Sequence, residues 1–197
     1  MASCAESLLT VPEEPQNVVT TAKFTFHDLY HAEFDAVVRL VLRFGIGSHD
    51  AEDLSQKVFL IAYRKREELP HLERPEAWLR AIVIRVVREH FRWLKVRRAA
   101  SWIVLNSWAG RVADDDNPER DVLAQESLHL ARNVLQRMSG KLRETLVLLD
   151  IEGLSPKEAA ELLGVPHNTL RSRRALAREE FKRLWHCEQR NRMARDD

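Results

Sequence analysis

The feature that most constrains the fold is a helical repeat of apolar residues, which recur at three- and four-residue intervals through most of the chain. Between residues 27 and 44 this repeat forms a single stripe of Leu29, Phe34, Val37, Val38, Val41 and Phe44. Such spacing places the apolar side chains on one face of an α-helix. The alternation typical of strands is hard to find, and only 6 of the 197 residues are glycine. The sequence therefore predicts an all-α fold.

Local signals predict two more helices after the first one. Gly45 supplies a stop, and Ser48 is the predicted N-cap of a second helix. Residues 67–76 contain two prolines, which predict a loop. Pro75 suits the first position of a third helix over residues 75–95. Together the three helices predict one compact domain.

Changes in composition divide the rest of the chain. The stretch 114–121, DDDNPERD, carries five acidic residues against one arginine, and helical patterns return after it. We therefore predict two small helical domains joined by a flexible acidic linker, the second domain containing a helix-turn-helix. The predicted bounds are 1–23 for a loose N-terminal tail, 24–98 for the first domain, 99–125 for the linker, 126–186 for the second domain and 187–197 for a C-terminal tail.

The stretch GLSPKEAAELLGVPHNTLRSRR, residues 153–174, has the order of features of a helix-turn-helix. Ser155 and Glu158 can form a capping box, Gly164 suits a turn with positive φ, and Leu170 can return the second helix to the core. Basic charge alone would favour a merely solvated helical hairpin, but the complete order favours DNA binding in the major groove. The candidate DNA-binding residues are His167, Asn168, Thr169, Arg171, Ser172, Arg173, Arg174 and Arg178.

Basic and aromatic residues are interleaved along the predicted third helix. The basic residues of the helix and of the residues after it are Arg80, Arg85, Arg88, Arg92, Lys95, Arg97 and Arg98, and Trp78, Phe91 and Trp93 are interleaved with them. This combination suits single-stranded DNA, whose unpaired bases stack on aromatic rings. For Trp78 and Phe91, a place in the core is the favoured interpretation.

Other functional classes have little support in the sequence. The two cysteines, Cys4 and Cys187, lie near opposite ends, which predicts free thiols in a reducing compartment. The eight histidines are scattered, and no metal-ligand spacing, nucleophile–base pair or phosphate loop is found. Neither a signal peptide nor an apolar run of membrane-spanning length is present. We expect a cytoplasmic protein without catalytic residues, metal, cofactor or membrane insertion.

Three motifs in a fixed order resemble the extracytoplasmic-function sigma factors, the small two-domain members of the bacterial sigma-70 family. These motifs are DAEDLSQKVFLIAYRK at 50–65, RPEAWLRAIVIRVVREHFR at 74–92, and LVLLDIEGLSPKEAAELLGVPHNTLRSRR at 146–174. The resemblance covers about residues 24–185. It implies an RNA polymerase sigma factor that directs core polymerase to specific promoters and aids promoter melting.

The resemblance also implies roles for particular residues. The helix with the DAEDLxQ motif docks on the β′ clamp helices of polymerase in this family, and here it carries Asp50, Glu52, Asp53, Leu54, Gln56 and Lys57. The loop before the third helix captures a flipped base of the minus-ten element, and that loop and helix here contain His71, Leu72, Glu73, Arg74, Trp78, Arg80, Arg85, Arg88 and Arg92. The helix-turn-helix reads the minus-thirty-five element. The implied partners are core RNA polymerase, including its β flap, promoter DNA and a cognate anti-sigma factor.

Four residues depart from the family pattern. Lys57 stands where glutamate is usual, and Arg85 stands where asparagine is common. Arg174 and Leu176 invert the usual order of an apolar and a basic residue. Two alternative functions stay open on the sequence: a helix-turn-helix regulator that never docks on polymerase, and a sigma-like decoy that binds an anti-sigma factor.

Overall fold

The computed structural model describes residues 25–104 and 122–196, with side chains over 25–97 and 126–194. Within these segments the fold is all-α, as predicted. The helices are α1 (Phe26–Arg43), α2 (Ser48–Arg64), α3 (Pro75–Val104), α4 (Val122–Arg137), α5 (Gly140–Leu146), α6 (Pro156–Leu163) and α7 (His167–Asp196). A 3-10 helix, Arg66–His71, joins α2 to α3, and one turn of π-helix, Val147–Ile151, continues α5.

The first three helices pack around a common apolar core. Thr25 caps α1 by accepting from the Asp28 N–H at 3.3 Å, which satisfies one of the free donors of the first turn. The stripe predicted on this helix faces inward, and Val41 and Phe44 are fully buried. Val58 of α2 and Val83 of α3 complete the core of this half.

Three local predictions are corrected by the structure. Gly47, and not Ser48, is the N-cap of α2, and no side chain caps that helix. Residues 66–71, assigned mainly to a loop, form the 3-10 helix because its tighter turn buries Leu69 against the core. Helix α3 continues beyond 95 to Val104, since the sequence has no glycine or proline there to end it.

The second half consists of α4 to α7. Helix α7 continues to Asp196, so residues 187–196, which we assigned to a C-terminal tail, are helical. No glycine or proline follows Pro166, which explains the length of α7. The predicted N-terminal tail and residues 105–121 of the predicted linker lie outside the described residues, whereas the two ends of that linker, 99–104 and 122–125, are helical and not flexible connections.

The two halves contact each other. Helix α3 packs against α5 and α6, and Gln136 Nε2 donates to the Gly45 backbone oxygen at 2.8 Å. Gly45 has a φ of 84°, a left-handed conformation that favours glycine. This contact brings the basic face of α3 close to the helix-turn-helix.

Candidate nucleic-acid and polymerase interfaces

The helix-turn-helix predicted over 153–174 is formed by α6, a turn and the start of α7. The Glu158 N–H donates to Ser155 Oγ at 3.3 Å and the Ser155 N–H donates to Glu158 Oε2 at 3.1 Å, which completes the capping box. Gly164 ends α6 with a φ of 66°. Leu170 is fully buried and holds α7 against the core. These predictions are confirmed, and they fix the direction in which α7 leaves the turn.

The start of α7 is polar and open to solvent. Its exposed candidate side chains are His167, Asn168, Arg171 and Ser172. Thr169 and Arg173 are half-buried, and Ser172 Oγ donates to the Thr169 backbone oxygen at 3.0 Å. An exposed, polar helix N-terminus is what a helix-turn-helix places in the major groove.

Arg174 and Arg178 contact a carboxylate of their own half. Arg174 Nε donates to Asp150 Oδ1 at 3.0 Å, and Arg178 Nε donates to Asp150 Oδ2 at 3.1 Å. Burial raises the pKa of Asp150, but hydrogen bonds from Arg178 and Arg174 outweigh it and hold that pKa below its ordinary value. Asp150 was missed by sequence reasoning, although it is an isolated acidic residue at the end of the apolar run 146–149.

The candidate minus-ten loop joins the 3-10 helix to α3. His71, Glu73 and Arg74 are exposed, and Leu72 is half-buried. Trp78, also half-buried, donates from Nε1 to Glu68 Oε2 at 3.3 Å, so it ties the start of α3 to the 3-10 helix. The loop is thus anchored at both ends while its polar residues stay accessible.

One face of α3 is basic. Arg85, Arg88 and Arg92 are exposed and follow one another at three and four residues, which places them on the same side of the helix. Arg80 is half-buried one turn earlier. Phe91 is buried, which confirms its interpretation as a core residue.

Two arginines of these surfaces contact the second half of the chain. Arg74 Nη2 donates to Glu158 Oε1 at 2.7 Å, and Arg88 donates to both oxygens of Glu144 at 2.8 and 2.7 Å. The hydrogen bond from Arg74, followed by those from Ser155, lowers the pKa of Glu158 to about 2. The hydrogen bond to Glu144 raises the pKa of Arg88. In this conformation carboxylates therefore occupy both guanidinium groups.

The candidate polymerase-binding helix, α2, presents a mixed face. Glu52, Asp53 and Gln56 are exposed, whereas Asp50 and Leu54 are half-buried. Lys57, the residue that departs from the family pattern, forms a 3.1 Å ion pair from its Nζ to Glu89 Oε2 of α3. This pair turns the lysine charge toward the protein's own α3.

Two apolar residues extend the exposed face of α2, and sequence reasoning missed both. Leu60 is 59 % exposed and Tyr63 is 49 % exposed. They follow Gln56 by four and seven residues, so the three share one side of the helix. The available signal was their position outside the apolar stripe that faces the core.

The described residues contain no group of three or more histidine, cysteine, aspartate or glutamate side chains placed to hold a metal ion. Over the same residues, no helix has the length and apolar character needed to cross a membrane.

Comparisons with known proteins match both halves of this arrangement. The model for sigma-70 region 2 matches residues 29–97, and a model for sigma-70 region 4 matches residues 128–181. These ranges contain, respectively, the α2 and α3 surfaces and the helix-turn-helix.

Individual relatives agree with the family matches. RNA polymerase sigma factor HrpL of Pseudomonas syringae pv. syringae is 33 % identical over 138 residues, which cover 68 % of this chain and 72 % of HrpL. ECF RNA polymerase sigma factor SigM of Mycobacterium tuberculosis H37Rv is 28 % identical over 82 % of this chain and 78 % of SigM. The sigma factor RpoE, solved with the anti-sigma factor NepR from Bartonella quintana, shares the fold with a TM-score of 0.61 and 21 % identity over 81 % of this chain and 95 % of that one. The chain therefore belongs to the extracytoplasmic-function group of the sigma-70 family of RNA polymerase sigma factors.

Proposed function

We propose that this sigma factor divides promoter recognition between two domains, residues 24–98 and 126–186. The observation that carries the proposal is that an open, polar helix start and a separate basic helix face occur in different family regions. The first reads base edges in intact duplex, and the second holds bases that have already separated. The polymerase performs the chemistry, and this chain, acting in the cytoplasm, selects the promoter.

The start of α7 reads the minus-thirty-five element. Arg171 can pair with guanine through two hydrogen bonds, and Asn168 can do the same with adenine. His167, Thr169 and Ser172 line the same part of the helix. Arg173 contacts phosphate. Arg174 and Arg178 contribute to DNA binding when DNA competes with Asp150 for their guanidinium groups.

The minus-ten element binds at the loop and on α3. Extruding a base costs a few kcal/mol, which contacts to the flipped base must offset. His71, Leu72 and Glu73 form that contact surface, and Trp78 links the two elements on either side of the loop through its hydrogen bond to Glu68. The α3 side chains that contact the backbone are Arg74, Arg80, Arg85, Arg88 and Arg92.

Helix α2 binds the β′ clamp helices of polymerase through its exposed face. Glu52, Asp53 and Gln56 supply polar contacts, with Leu60 and Tyr63 as apolar anchors. Asp50, Leu54 and Lys57 border this face, and the second domain contacts the β flap. RpoE was solved with an anti-sigma factor, and we extend that kind of partner to this chain, as a protein that covers the same surfaces.

The first test is association with core RNA polymerase. We expect the purified chain to co-elute with core polymerase in size-exclusion chromatography, and Asp53→Arg to abolish co-elution because it reverses charge on the docking face. Asp35→Arg is the matched control, since Asp35 is an exposed acid on α1, outside that face. Both variants should keep the helical circular dichroism of the parent.

The outcomes separate the candidate functions. Co-elution lost only in Asp53→Arg supports docking through α2. A folded chain that binds duplex DNA but never co-elutes with core polymerase would favour the stand-alone regulator. A chain that binds core polymerase in neither form and has no DNA preference would favour the decoy that titrates an anti-sigma factor.

A further inference from the structure

Two exposed histidines stand one turn apart near the N-terminus of α1. His27 and His31 are four residues apart, so they lie on the same side of the helix. Their Nε2 atoms are 3.1 Å apart whereas their ring centres are 4.3 Å apart, so the two rings converge toward these nitrogens. This pair departs from our sequence prediction, which treated the eight histidines as scattered.

The separation of the two nitrogens suits a shared metal ion. Imidazole nitrogen binds zinc at about 2.0–2.1 Å. With two bonds of about 2.05 Å, nitrogens that are 3.1 Å apart subtend an angle of about 98° at the metal. That angle lies between about 90°, for neighbouring ligands of a square-planar site, and about 109°, for a tetrahedral site. The separation therefore allows one ion to bond to both nitrogens.

The helix holds both ligands in place. Thr25 and Asp28 form the capping box that fixes the first turn, which contains His27. The ring of Tyr30 packs edge-on against the buried Phe59 of α2, with 4.9 Å between the ring centres, and so anchors the next turn. Ligands carried by a packed helix are positioned more precisely than ligands carried by a loop. The protein therefore presents this pair of nitrogens preformed.

The charge of the surrounding stretch favours a cation. Residues 25–38 contain three acidic side chains and no lysine or arginine. Hydrogen bonds from Thr25 contribute most to holding the pKa of Asp28 below its ordinary value, and the nearby His27 and His31 lower that pKa further. The Asp28 carboxylate is thus within electrostatic range of both imidazoles. An ion bound by the two rings would lie beside this negative charge.

We propose that His27 and His31 form a binding site for one divalent transition-metal ion, with water completing the coordination. Imidazole is a preferred ligand of Zn²⁺, Cu²⁺ and Ni²⁺, and Cu²⁺ binds most strongly of these. Both Nε2 atoms present a lone pair to the ion, which leaves the remaining proton of each ring on Nδ1. Neither histidine was assigned to DNA or polymerase binding, so this site does not depend on the proposed function.

The test titrates the full chain with the copper complex of nitrilotriacetate. This chelator leaves two neighbouring positions of Cu²⁺ open, so the complex selects sites that offer two adjacent ligands. Cys4→Ser and Cys187→Ser are included in the parent and in every variant, because thiols bind copper. We expect one complex per chain by isothermal titration calorimetry, and two imidazoles bound to that copper by pulsed electron paramagnetic resonance.

Single substitutions distinguish a shared ion from two independent ligands. His27→Gln and His31→Gln should each weaken binding of the complex at least about tenfold, since loss of even an outer-shell partner costs about 10–100-fold. Two independent histidines would each bind their own copper, so either variant would halve the stoichiometry and leave the remaining affinity unchanged. Glutamine favours helix, and circular dichroism checks that the variants stay folded.

A spacing control keeps the composition and moves one ligand. His31→Ala combined with Ala32→His places the two histidines five residues apart, at an exposed position. Because each residue turns the helix by about 100°, the second imidazole then points to a different side. Binding should fall to that of the single variants. A second control, His49→Gln with His129→Gln, removes two exposed histidines elsewhere and should bind copper as the parent does.

Hydrogen exchange locates the effect of the bound ion. An ion that joins two consecutive turns opposes fraying of the start of α1, since it binds the folded helix and not the open one. Saturation with the copper complex should therefore slow amide exchange in peptides from residues 25–36 of the parent. The same peptides should be unaffected in the spacing control.

Four results would overturn the metal site. They are a parent chain without stoichiometric copper binding, a bound copper with a single imidazole, a spacing control that binds as the parent does, and unchanged exchange over residues 25–36 at saturation. A chain that binds copper as expected but never binds core polymerase would contradict the proposed function and leave the metal site standing.

Discussion

Asp150 accepts hydrogen bonds from two arginines of α7 and so offsets part of the positive charge of that helix. Only 17 % of its side chain is exposed, and its ionised form is favoured by both partners. Arg174 departs from the family pattern, and its ion pair with Asp150 gives this arginine a structural role within the second half of the chain.

Asp150→Asn should release Arg174 and Arg178. Because asparagine carries no charge to hold them, we expect tighter binding to random-sequence duplex DNA and a salt slope steeper by about 0.9 for each arginine that reaches a phosphate. Loss of the charge-assisted bonds should also lower the free energy of unfolding by about 1–2 kcal/mol.

Anisotropy over a salt series and urea denaturation measure these two effects. Glu179→Gln serves as the control, because it removes one exposed negative charge from the same helix. Equal salt slopes for the two variants would show that Asp150 does not withhold the arginines.

At the scale of the element, α7 has one face in the core and one toward solvent. Leu170 is fully buried whereas Leu176, six residues later, is 54 % exposed. The inverted order of Arg174 and Leu176 therefore exposes an apolar side chain without disturbing the contact of α7 with the core.

Leu170→Ala should destabilise the second half strongly. Removal of a fully buried leucine side chain costs about 2–5 kcal/mol, part of it for the cavity left behind. Leu176→Ala should change stability by less than about 0.5 kcal/mol, since surface substitutions have small effects. Urea denaturation followed by circular dichroism compares them, and similar losses for both would contradict the described orientation of α7.

Elements were predictable from sequence where their signals are local. The capping box at Ser155, the turn at Gly164 and the proline at the start of α3 each depend on a few neighbouring residues, and all three are confirmed. Helix ends were less predictable where no breaker residue occurs, as in the continuation of α7 to Asp196. The 3-10 helix formed because burial of Leu69 outweighed the loop signal of two prolines.

At the scale of the whole molecule, the contact between α1–α3 and α4–α7 could not be predicted from the sequence. Arg88 and Glu144 are 56 residues apart, and Arg174 and Asp150 are 24 apart, so no periodicity or spacing relates them. The candidate DNA and polymerase residues were predicted from motifs, but their pairing with carboxylates depends on how the halves meet. Asp150 was missed because its partners are distant in sequence, whereas Leu60 and Tyr63 were missed although their position outside the core-facing stripe was a local signal.

The pKa of Glu158 should report whether Arg74 of the first half contacts Glu158 of the second half in solution. That pKa is about 2 with this contact formed, below the ordinary 4.5. A depressed carboxyl pKa means that the contact contributes stability above pH 4.5 and loses it as the pH falls toward 2. At neutral pH the Glu158 carboxyl group is therefore ionised, as the contact with Arg74 requires.

Carbon-13 NMR of the glutamate carboxyl groups measures this titration. In Arg74→Ala the pKa of Glu158 should rise toward 4.5 but stay below it, because the hydrogen bonds from Ser155 remain. Arg80→Ala, a second arginine of the first half, should leave it unchanged. A Glu158 pKa near 4.5 in the parent chain would mean that Arg74 is not bound there in solution.

Glu158 uses its two carboxylate oxygens for different contacts. Oε2 accepts from Ser155 to cap α6, and Oε1 accepts from Arg74. Glutamine at this position preserves the cap but weakens the contact with Arg74, so one substitution would loosen the contact between the halves and leave the N-terminus of α6 intact. A single substitution at Glu158 can therefore change how firmly the two halves meet while the helix-turn-helix keeps its own fold.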